Sequence, residues 1–234
     1  MFKTIIASIC IVILAQAAFA ESTISFSEKE FNFGKLPQHT AVSHTFWIRA
    51  TGNEPVHITK VVPGCGCTKA PLQDSVIAPG DSTSIEIIFS AKSFRGYVSK
   101  KPYIQINDSE ERIYLRIDSE IMPDPESIEP AQFVPYKLDV SQFTEAPRRK
   151  ASFSIQNKSD KDMSIKLVDG AGKNFDVDLP KEVKAGQSAE GHIMVHKDKI
   201  ESEFEQSFTI ELGDGVGTRI SLPVKRMYRV MSKK

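Results

Sequence analysis

Two cysteines separated by one glycine are the residues of this sequence best suited to chemistry. Cys65 and Cys67 lie in the segment PGCGCTKAP, with Gly64, Gly66 and Thr68 around them. Thiols at this spacing could close a small disulfide, contact a soft metal ion, or take part in thiol redox chemistry. The choice depends on the compartment, because thiols oxidise outside the cytoplasm and stay reduced within it.

The first 20 residues predict that the protein is exported. Lys3 precedes an apolar run over residues 5–14, and small residues follow up to Ala20. This is the order of a secretory signal peptide, and cleavage is expected after Ala20. The apolar run is shorter than the roughly 20 residues that a spanning helix needs. Cys10 would leave with the signal, so the mature chain would keep one cysteine pair and no membrane span.

A disulfide between Cys65 and Cys67 requires a local turn. In an extended strand, Cα atoms two residues apart are separated by nearly 7 Å, which is at the limit for a disulfide. Gly66 is expected to supply the turn, because glycine enters backbone regions closed to other residues. Closing so small a loop constrains the unfolded chain little, so the bridge should shape a loop more than it stabilises a domain.

Metal and redox roles remain open alternatives for the cysteine pair. Copper or zinc could bind the two sulfurs, and His57 is the nearest histidine along the sequence. His192, Met194 and His196 form a weaker metal candidate, and a solvent-facing side of the strand is the favoured explanation for them. A thiol oxidoreductase usually spaces its cysteines by two residues at a helix start, and no helix is predicted after Thr68.

The rest of the sequence gives no sign of catalysis or of nucleic-acid binding. It has no Ser-His-Asp, paired-carboxylate or phosphate-binding motif, so we expect a protein that is not an enzyme. His39 and His44 flank no nucleophile motif and are predicted at the surface or at a strand edge. The 30 Lys and Arg residues balance 30 Asp and Glu residues, which leaves no electrostatic footprint for nucleic acid.

Apolar residues alternate along short segments, which predicts β-strands. HTFWIRA places Phe46 and Ile48 on one face and Trp47 on the other, and STSIEIIFS and ERIYLRID show the same period. Turn residues separate these segments, and no amphipathic helix of useful length is visible. The pattern is typical of a β-sandwich.

The strand pattern occurs twice. KASFSIQNKSDKDMSIKLV repeats the pattern of HTFWIRATGNEPVHITKVV, and later apolar positions match at offsets of 106 or 107. We therefore predict two tandem domains, over residues 21–122 and 131–234, joined by a proline-rich linker over residues 123–130. The cysteine motif is absent from the second domain, where Asp169-Gly170-Ala171-Gly172 is expected in its place.

Several short motifs of the first domain occur in the same order in a known family. They are Phe31-Asn32-Phe33-Gly34, Thr51-Gly52-Asn53, Cys65-Gly66-Cys67-Thr68, Pro79-Gly80-Asp81, and a strand ending at Phe89 before Gly96-Tyr97. In these features residues 24–121 resemble the bacterial exported family called domain of unknown function 1573. The resemblance implies an immunoglobulin-like sandwich related to Hydin-like domains, in the periplasm or at the cell surface, and no established activity.

The sequence thus predicts an all-β protein of two tandem immunoglobulin-like β-sandwich domains after a signal peptide. The expected function is a non-enzymatic binding or scaffolding module of the bacterial envelope, with an envelope protein or glycan as partner. The alternative is a periplasmic metal-handling or thiol-redox accessory protein that uses Cys65 and Cys67, with copper or zinc as its ion.

Overall fold

The computed structural model describes residues 23–170 and 173–229, and nearly all of their regular structure is β-strand. The predicted signal peptide, including Cys10, lies outside the described residues. The first half contains β1 (Ile24–Phe26), β2 (Glu30–Pro37), β3 (Ala41–Ala50), β4 (Val56–Val62), β5 (Thr68–Lys69), β6 (Val76–Ile77), β7 (Ser82–Ser90), β8 (Gly96–Lys100), β9 (Tyr103–Ile106), β10 (Ile113–Tyr114) and β11 (Arg116–Met122).

The second half begins with a short 3-10 helix over Pro125–Ser127, which Asp124 caps by accepting a 2.8 Å hydrogen bond from the Ser127 backbone N–H. Its strands are β12 (Ala131–Val134), β13 (Leu138–Asp139), β14 (Lys150–Asn157), β15 (Met163–Asp169), β16 (Phe175–Asp178), β17 (Glu182–Val183), β18 (Ser188–Val195), β19 (Phe204–Leu212) and β20 (Arg219–Arg226). A second short 3-10 helix covers Lys197–Lys199. Neither of these helices is long or apolar enough to cross a membrane, and the described residues contain no other candidate.

Alternation along the strands buries one face, as predicted. Phe46 and Ile48 of β3 are buried, whereas Trp47 between them is half exposed. The same rows appear in β7, where Ile85, Ile87 and Phe89 point into the core. Burial of these aliphatic and aromatic side chains is the main driving force for folding of such a sandwich.

Each half forms its own sandwich around its own core. The first sandwich contains the sheets β1-β3-β7-β5 and β10-β9-β4-β6. Both contribute to one apolar cluster whose residues run from Phe31 to Ile121. In the second, the sheet β12-β14-β18-β16 accompanies strands β15, β17, β19 and β20, and a separate cluster extends from Ile128 to Val224. The fold is therefore all-β, as the sequence predicts.

The sequence repeat is also a repeat of strand pairing. Ile58 faces Ile106 in the first sandwich, and Ile165 faces Leu212 in the second. Parallel pairs correspond too, because β2 lies beside β11 as β13 lies beside β20. One strand order is thus used twice along the chain.

The two sandwiches share one sheet. Strand β2 of the first half pairs in parallel with β20 of the second, with Lys35 opposite Ile220, in the order β17-β15-β19-β20-β2-β11-β8. The Ser221 hydroxyl, which is buried, also donates a 2.8 Å hydrogen bond to the Phe33 carbonyl. A continuous sheet fixes the relative position of the two halves and creates the surface between them.

Candidate functional site

The cysteine pair lies in the loop between β4 and β5. The structure places the sulfur atoms of Cys65 and Cys67 2.04 Å apart, at disulfide-bonding distance, with their Cα atoms 5.2 Å apart. The Thr68 hydroxyl lies 3.3 Å from the Cys65 sulfur and 3.8 Å from the Cys67 sulfur. The three side chains that the motif supplies therefore form one compact group.

The left-handed residue of this loop is Gly64. Gly66 lies in a turn, as predicted, but it does not use a backbone conformation that requires glycine. Gly64 has φ +84°, whereas Gly66 lies outside the left-handed region. The Thr68 N–H donates a 3.2 Å hydrogen bond to the Cys65 carbonyl, which closes a four-residue turn with Gly66 and Cys67 at its centre. Common turns of this kind accept most residues at the central positions. The bend that requires glycine is at Gly64, immediately before this turn.

The loop is held against the end of β7. Cys67 is buried, and its carbonyl accepts a 2.9 Å hydrogen bond from the Ser90 N–H. The Lys92 ammonium donates a 3.1 Å hydrogen bond to the Gly66 carbonyl. Cys65 is half-buried and packs on the first core. The loop is therefore a fixed element of the surface.

This fixed loop forms one wall of an open groove at the junction of the two sandwiches. One lobe, of about 510 Å³, is lined by Cys67, Lys69, Ile88 and Lys92. A second lobe, of about 170 Å³, is lined by Lys137, Asp139, Pro223 and Lys225. Residues 39–41 and Glu205 border both lobes. We call the two lobes together the junction groove, to which both sandwiches contribute.

Two residues at the border of the junction groove have an unusual backbone. His39 and Lys92 have φ values of 57° and 44°, and the His39 N–H donates a 2.8 Å hydrogen bond to the Lys92 carbonyl. The left-handed region costs a residue with a side chain roughly 1–2 kcal/mol. Strained residues of this kind cluster at functional sites. The strain here marks the point where the two lobes meet.

The groove's charged groups are held in place by local contacts. The Lys137 ammonium donates a 2.9 Å hydrogen bond to the His39 carbonyl. Burial raises the pKa of Asp139, but hydrogen bonds from Ser141 and the charges of Arg148 and Lys225 outweigh burial, so this pKa lies below its usual value. Asp139 is therefore ionised at neutral pH.

The structure separates the residues proposed as metal ligands. His57 is the second residue of β4 while the cysteines follow the end of β4, so about 17 Å of strand lies between them at roughly 3.3 Å per residue. His192, Met194 and His196 lie on the second sandwich, where His192 contacts Asp178 at 3.4 Å and His196 contacts Asp176 at 3.0 Å. Residues 23–170 and 173–229 contain no group of three or more His, Cys, Asp or Glu side chains able to hold one metal ion.

His44 contradicts the prediction of a surface or strand-edge role. It is buried, it stacks on Phe31 with ring centroids 3.7 Å apart, and its Nδ1 lies 3.2 Å from Asp169 Oδ2. Its Nε2 lies 3.0 Å from Glu28 Oε1. His44 occupies the same inward row as Phe46, so the two-residue period contained the signal that it faces inward.

Lys173 is a second buried residue that the sequence did not indicate. Its ammonium lies 3.1 Å from Asp169 and donates a 2.8 Å hydrogen bond to the Ser43 carbonyl. Burial raises the pKa of Asp169, but contact with His44 and the charge of Lys173 outweigh it, so this pKa lies below its usual value. Asp169 thereby links His44 of the first sandwich to Lys173 of the second.

The strand register identifies what replaces the cysteine motif in the second sandwich. The His196 N–H donates to the Asn174 carbonyl at 3.0 Å, as the Ser90 N–H donates to Cys67, so Asn174 is the counterpart of Cys67. The expected counterpart, Asp169-Gly170-Ala171-Gly172, begins too early. Lys173 then corresponds to Gly66. In the first sandwich this loop forms a wall of the groove. In the second sandwich the corresponding loop places the Lys173 ammonium between the two sandwiches.

Replacing both Cys65 and Cys67 with serine is expected to lower the free energy of unfolding by at most about 2 kcal/mol, because so short a loop constrains the unfolded chain little. Urea denaturation of the wild type and the double variant measures this difference. Mass spectrometry of the unreduced mature protein, which lacks Cys10, should detect no alkylatable thiol. Two alkylated thiols, or copper or zinc bound stoichiometrically and lost on mutation, would contradict the disulfide.

Comparison with known proteins gives a family match within the first sandwich. No curated protein matches the chain. The solved structures that it resembles include a protein of unknown function from Porphyromonas gingivalis W83, with 10% identity, TM-score 0.34, and coverage of 87% of this chain and 98% of the other. They also include a PapD-like domain of human CEP192, with 10% identity, TM-score 0.37, and coverage of 50% and 99%. Domains 5–6 of the S-layer protein SbsC match with 11% identity, TM-score 0.28, and coverage of 88% and 97%.

The family comparison is more informative, because it falls on the segment whose motifs predicted it. Residues 24–121, which span β1 to β11 and include the cysteine loop, match the model of the family described as protein of unknown function (DUF1573).

Proposed function

We propose that the chain is a non-enzymatic binding module, exported to the bacterial envelope, whose binding site is the junction groove. The observation that carries the proposal is that the cysteine loop, which lies within the segment matching the DUF1573 model, forms a wall of a groove completed by the second sandwich. A disulfide there holds the wall in one shape without adding much stability. Preorganised walls favour binding, because less ordering is needed when a partner docks.

The rest of the groove supports binding over catalysis. Its lining combines lysines, carboxylates and small apolar surfaces. His39 is its only histidine among the described lining residues, and residues 23–170 and 173–229 contain no cluster of His, Cys, Asp or Glu able to hold a metal ion.

The test is affinity isolation from the native envelope with the mature chain as bait. Ala41, which borders both lobes, is replaced with tryptophan to fill the groove. Ser25 is exposed on β1 outside the groove, and Ser25→Trp is the matched control. We expect a partner that the wild type and Ser25→Trp capture and that Ala41→Trp and the cysteine double variant do not. A partner captured equally by all four baits, or by none, would contradict the proposal.

A further inference from the structure

The lysines of the junction groove point to the chemistry of its partner. We propose, building on the proposed function, that the groove binds an extended acidic segment of a partner protein. The charged side chains that line it are Lys69, Lys92, Lys137 and Lys225, against Glu205 and Asp139. Over the part of the chain that the structure describes, none of these four ammonium groups lies within 4.0 Å of a carboxylate. The groove therefore carries an excess of positive charge on ammonium groups that form no ion pair, although Lys92 and Lys137 each donate a hydrogen bond to a carbonyl.

The distribution of the lysines favours several separate anionic groups. Lys69 and Lys92 line one lobe and Lys137 and Lys225 the other, on either side of residues 39–41. The lining contains no arginine, whose planar fork suits bidentate recognition of a single phosphate. Lysine ammoniums act as point charges, and each can meet one carboxylate. A chain with carboxylates at intervals fits this arrangement better than one phosphate group does.

The surfaces between the lysines favour a peptide over a glycan. Ile88 lines one lobe and is partly exposed, so an apolar side chain of a peptide has a surface to contact there, whereas the other apolar lining residues, Cys67, Leu138 and Pro223, are buried. No Trp, Tyr or Phe lines either lobe, so the groove offers no aromatic face on which a sugar ring could stack. Glu205 and Asp139 can accept hydrogen bonds from peptide N–H groups. Recognition of acidic motifs by clusters of basic residues is an established mode of peptide binding.

The test uses the full mature chain and two short fluorescein-labelled peptides, one alternating glutamate with serine and the other glutamine with serine. Binding is followed by fluorescence anisotropy at low and physiological salt. The glutamate peptide should bind at least about 10-fold more tightly than the glutamine peptide, and added salt should weaken its binding. Equal affinity for the two peptides would overturn the proposal.

Charge reversal locates the binding site. Lys69→Glu with Lys225→Glu should weaken binding of the glutamate peptide at least about 10-fold. Lys60→Glu with Lys166→Glu makes the same change in net charge at exposed positions outside the groove, and it should weaken binding less than about 3-fold. Equal loss in both double variants would show attraction to overall charge and would overturn the groove as the site. Tighter binding of polygalacturonate or inorganic polyphosphate at the same lysines would overturn the peptide in favour of that polyanion.

The two proposals can fail separately. An envelope partner that depends on Ala41 and on the cysteines but is indifferent to the lysine reversals would keep the proposed function and overturn the acidic segment. Absence of any groove-dependent partner would reject the proposed function, whatever the model peptides do.

Discussion

Replacing Gly34 with alanine is expected to lower the free energy of unfolding by about 3–5 kcal/mol, the sum of a backbone penalty and a steric overlap. Gly34 has φ +70°, a conformation that costs a residue with a side chain roughly 1–2 kcal/mol. A Cβ atom built there would lie only 1.9 Å from the Arg219 carbonyl oxygen. Because Arg219 begins β20, the overlap falls where β2 joins the sheet of the second sandwich.

Gly80 provides the matched control for this variant. Its φ of +82° is close to that of Gly34, but a Cβ atom built at Gly80 has no neighbour within 4 Å. Gly80→Ala should therefore lose only the backbone penalty of about 1–2 kcal/mol. Urea denaturation of both variants separates the two contributions. Equal losses would contradict the claim that close approach of β2 and β20 holds the sandwiches together.

The strands and their buried faces could be predicted from the sequence because a strand's period is a local property. The spacing of Phe46 and Ile48 indicates a buried face of the strand without information from any other segment. Phe153 and Ile155 indicate the same one repeat later. The repeat itself was visible for the same reason. Recognition of residues 24–121 rested on short motifs whose order survives in the sequence.

The contact between the sandwiches could not be predicted in this way. A period of two tells which face of β2 is buried but not which strand lies beside it, so the pairing of Lys35 with Ile220 left no local signal. Gly34 belongs to a motif visible in the sequence. The need for glycine there comes from the close approach of the Arg219 carbonyl, which lies far along the chain. Long-range pairing depends on three-dimensional proximity that composition and period do not encode.

The candidate site also has a part that could be predicted from the sequence and a part that could not. The cysteines, Gly64 and Thr68 are neighbours in sequence, and their compact arrangement followed from spacing. The junction groove also needs Lys92, Lys137 and Lys225, which come together only once both sandwiches are placed. The prediction that His44 lies at the surface was wrong for a different reason. Its row indicated burial, but a histidine facing inward is predicted only if a polar partner such as Asp169 is known.

The second large effect concerns Asp169, whose replacement by asparagine is expected to lower the free energy of unfolding at pH 7 by about 3 kcal/mol. The Asp169 carboxylate lies 3.1 Å from the Lys173 ammonium, and the Lys173 side chain is 5% exposed. Asparagine keeps the shape and removes the charge, so a buried ammonium would lose its only carboxylate partner among the described residues. Leaving one member of a buried ion pair uncompensated costs far more than an exposed pair gains.

Asp198→Asn is the control, because Asp198 and Lys199 form a 3.4 Å ion pair whose side chains are 72% and 42% exposed. Such a pair contributes about 0–1 kcal/mol. Equal losses from Asp169→Asn and Asp198→Asn would contradict the importance of the buried contact. The Lys173→Met variant, combined with Asp169→Asn in a double-mutant cycle, measures the coupling between the two side chains directly.

Stability of the wild type should also depend on pH through Asp169. Burial raises the pKa of this carboxyl, but contact with His44 and the charge of Lys173 outweigh burial and leave it below its usual value. A carboxyl with a lowered pKa in the folded state stabilises the protein above its unfolded pKa of about 3.9, and this stabilisation is lost as pH falls through the folded value. The difference in unfolding free energy between wild type and Asp169→Asn should therefore be present at pH 7 and should shrink below about pH 4. Urea denaturation across this range checks the sign, and a difference that grew as pH fell would show that Asp169 is not held ionised between the two sandwiches.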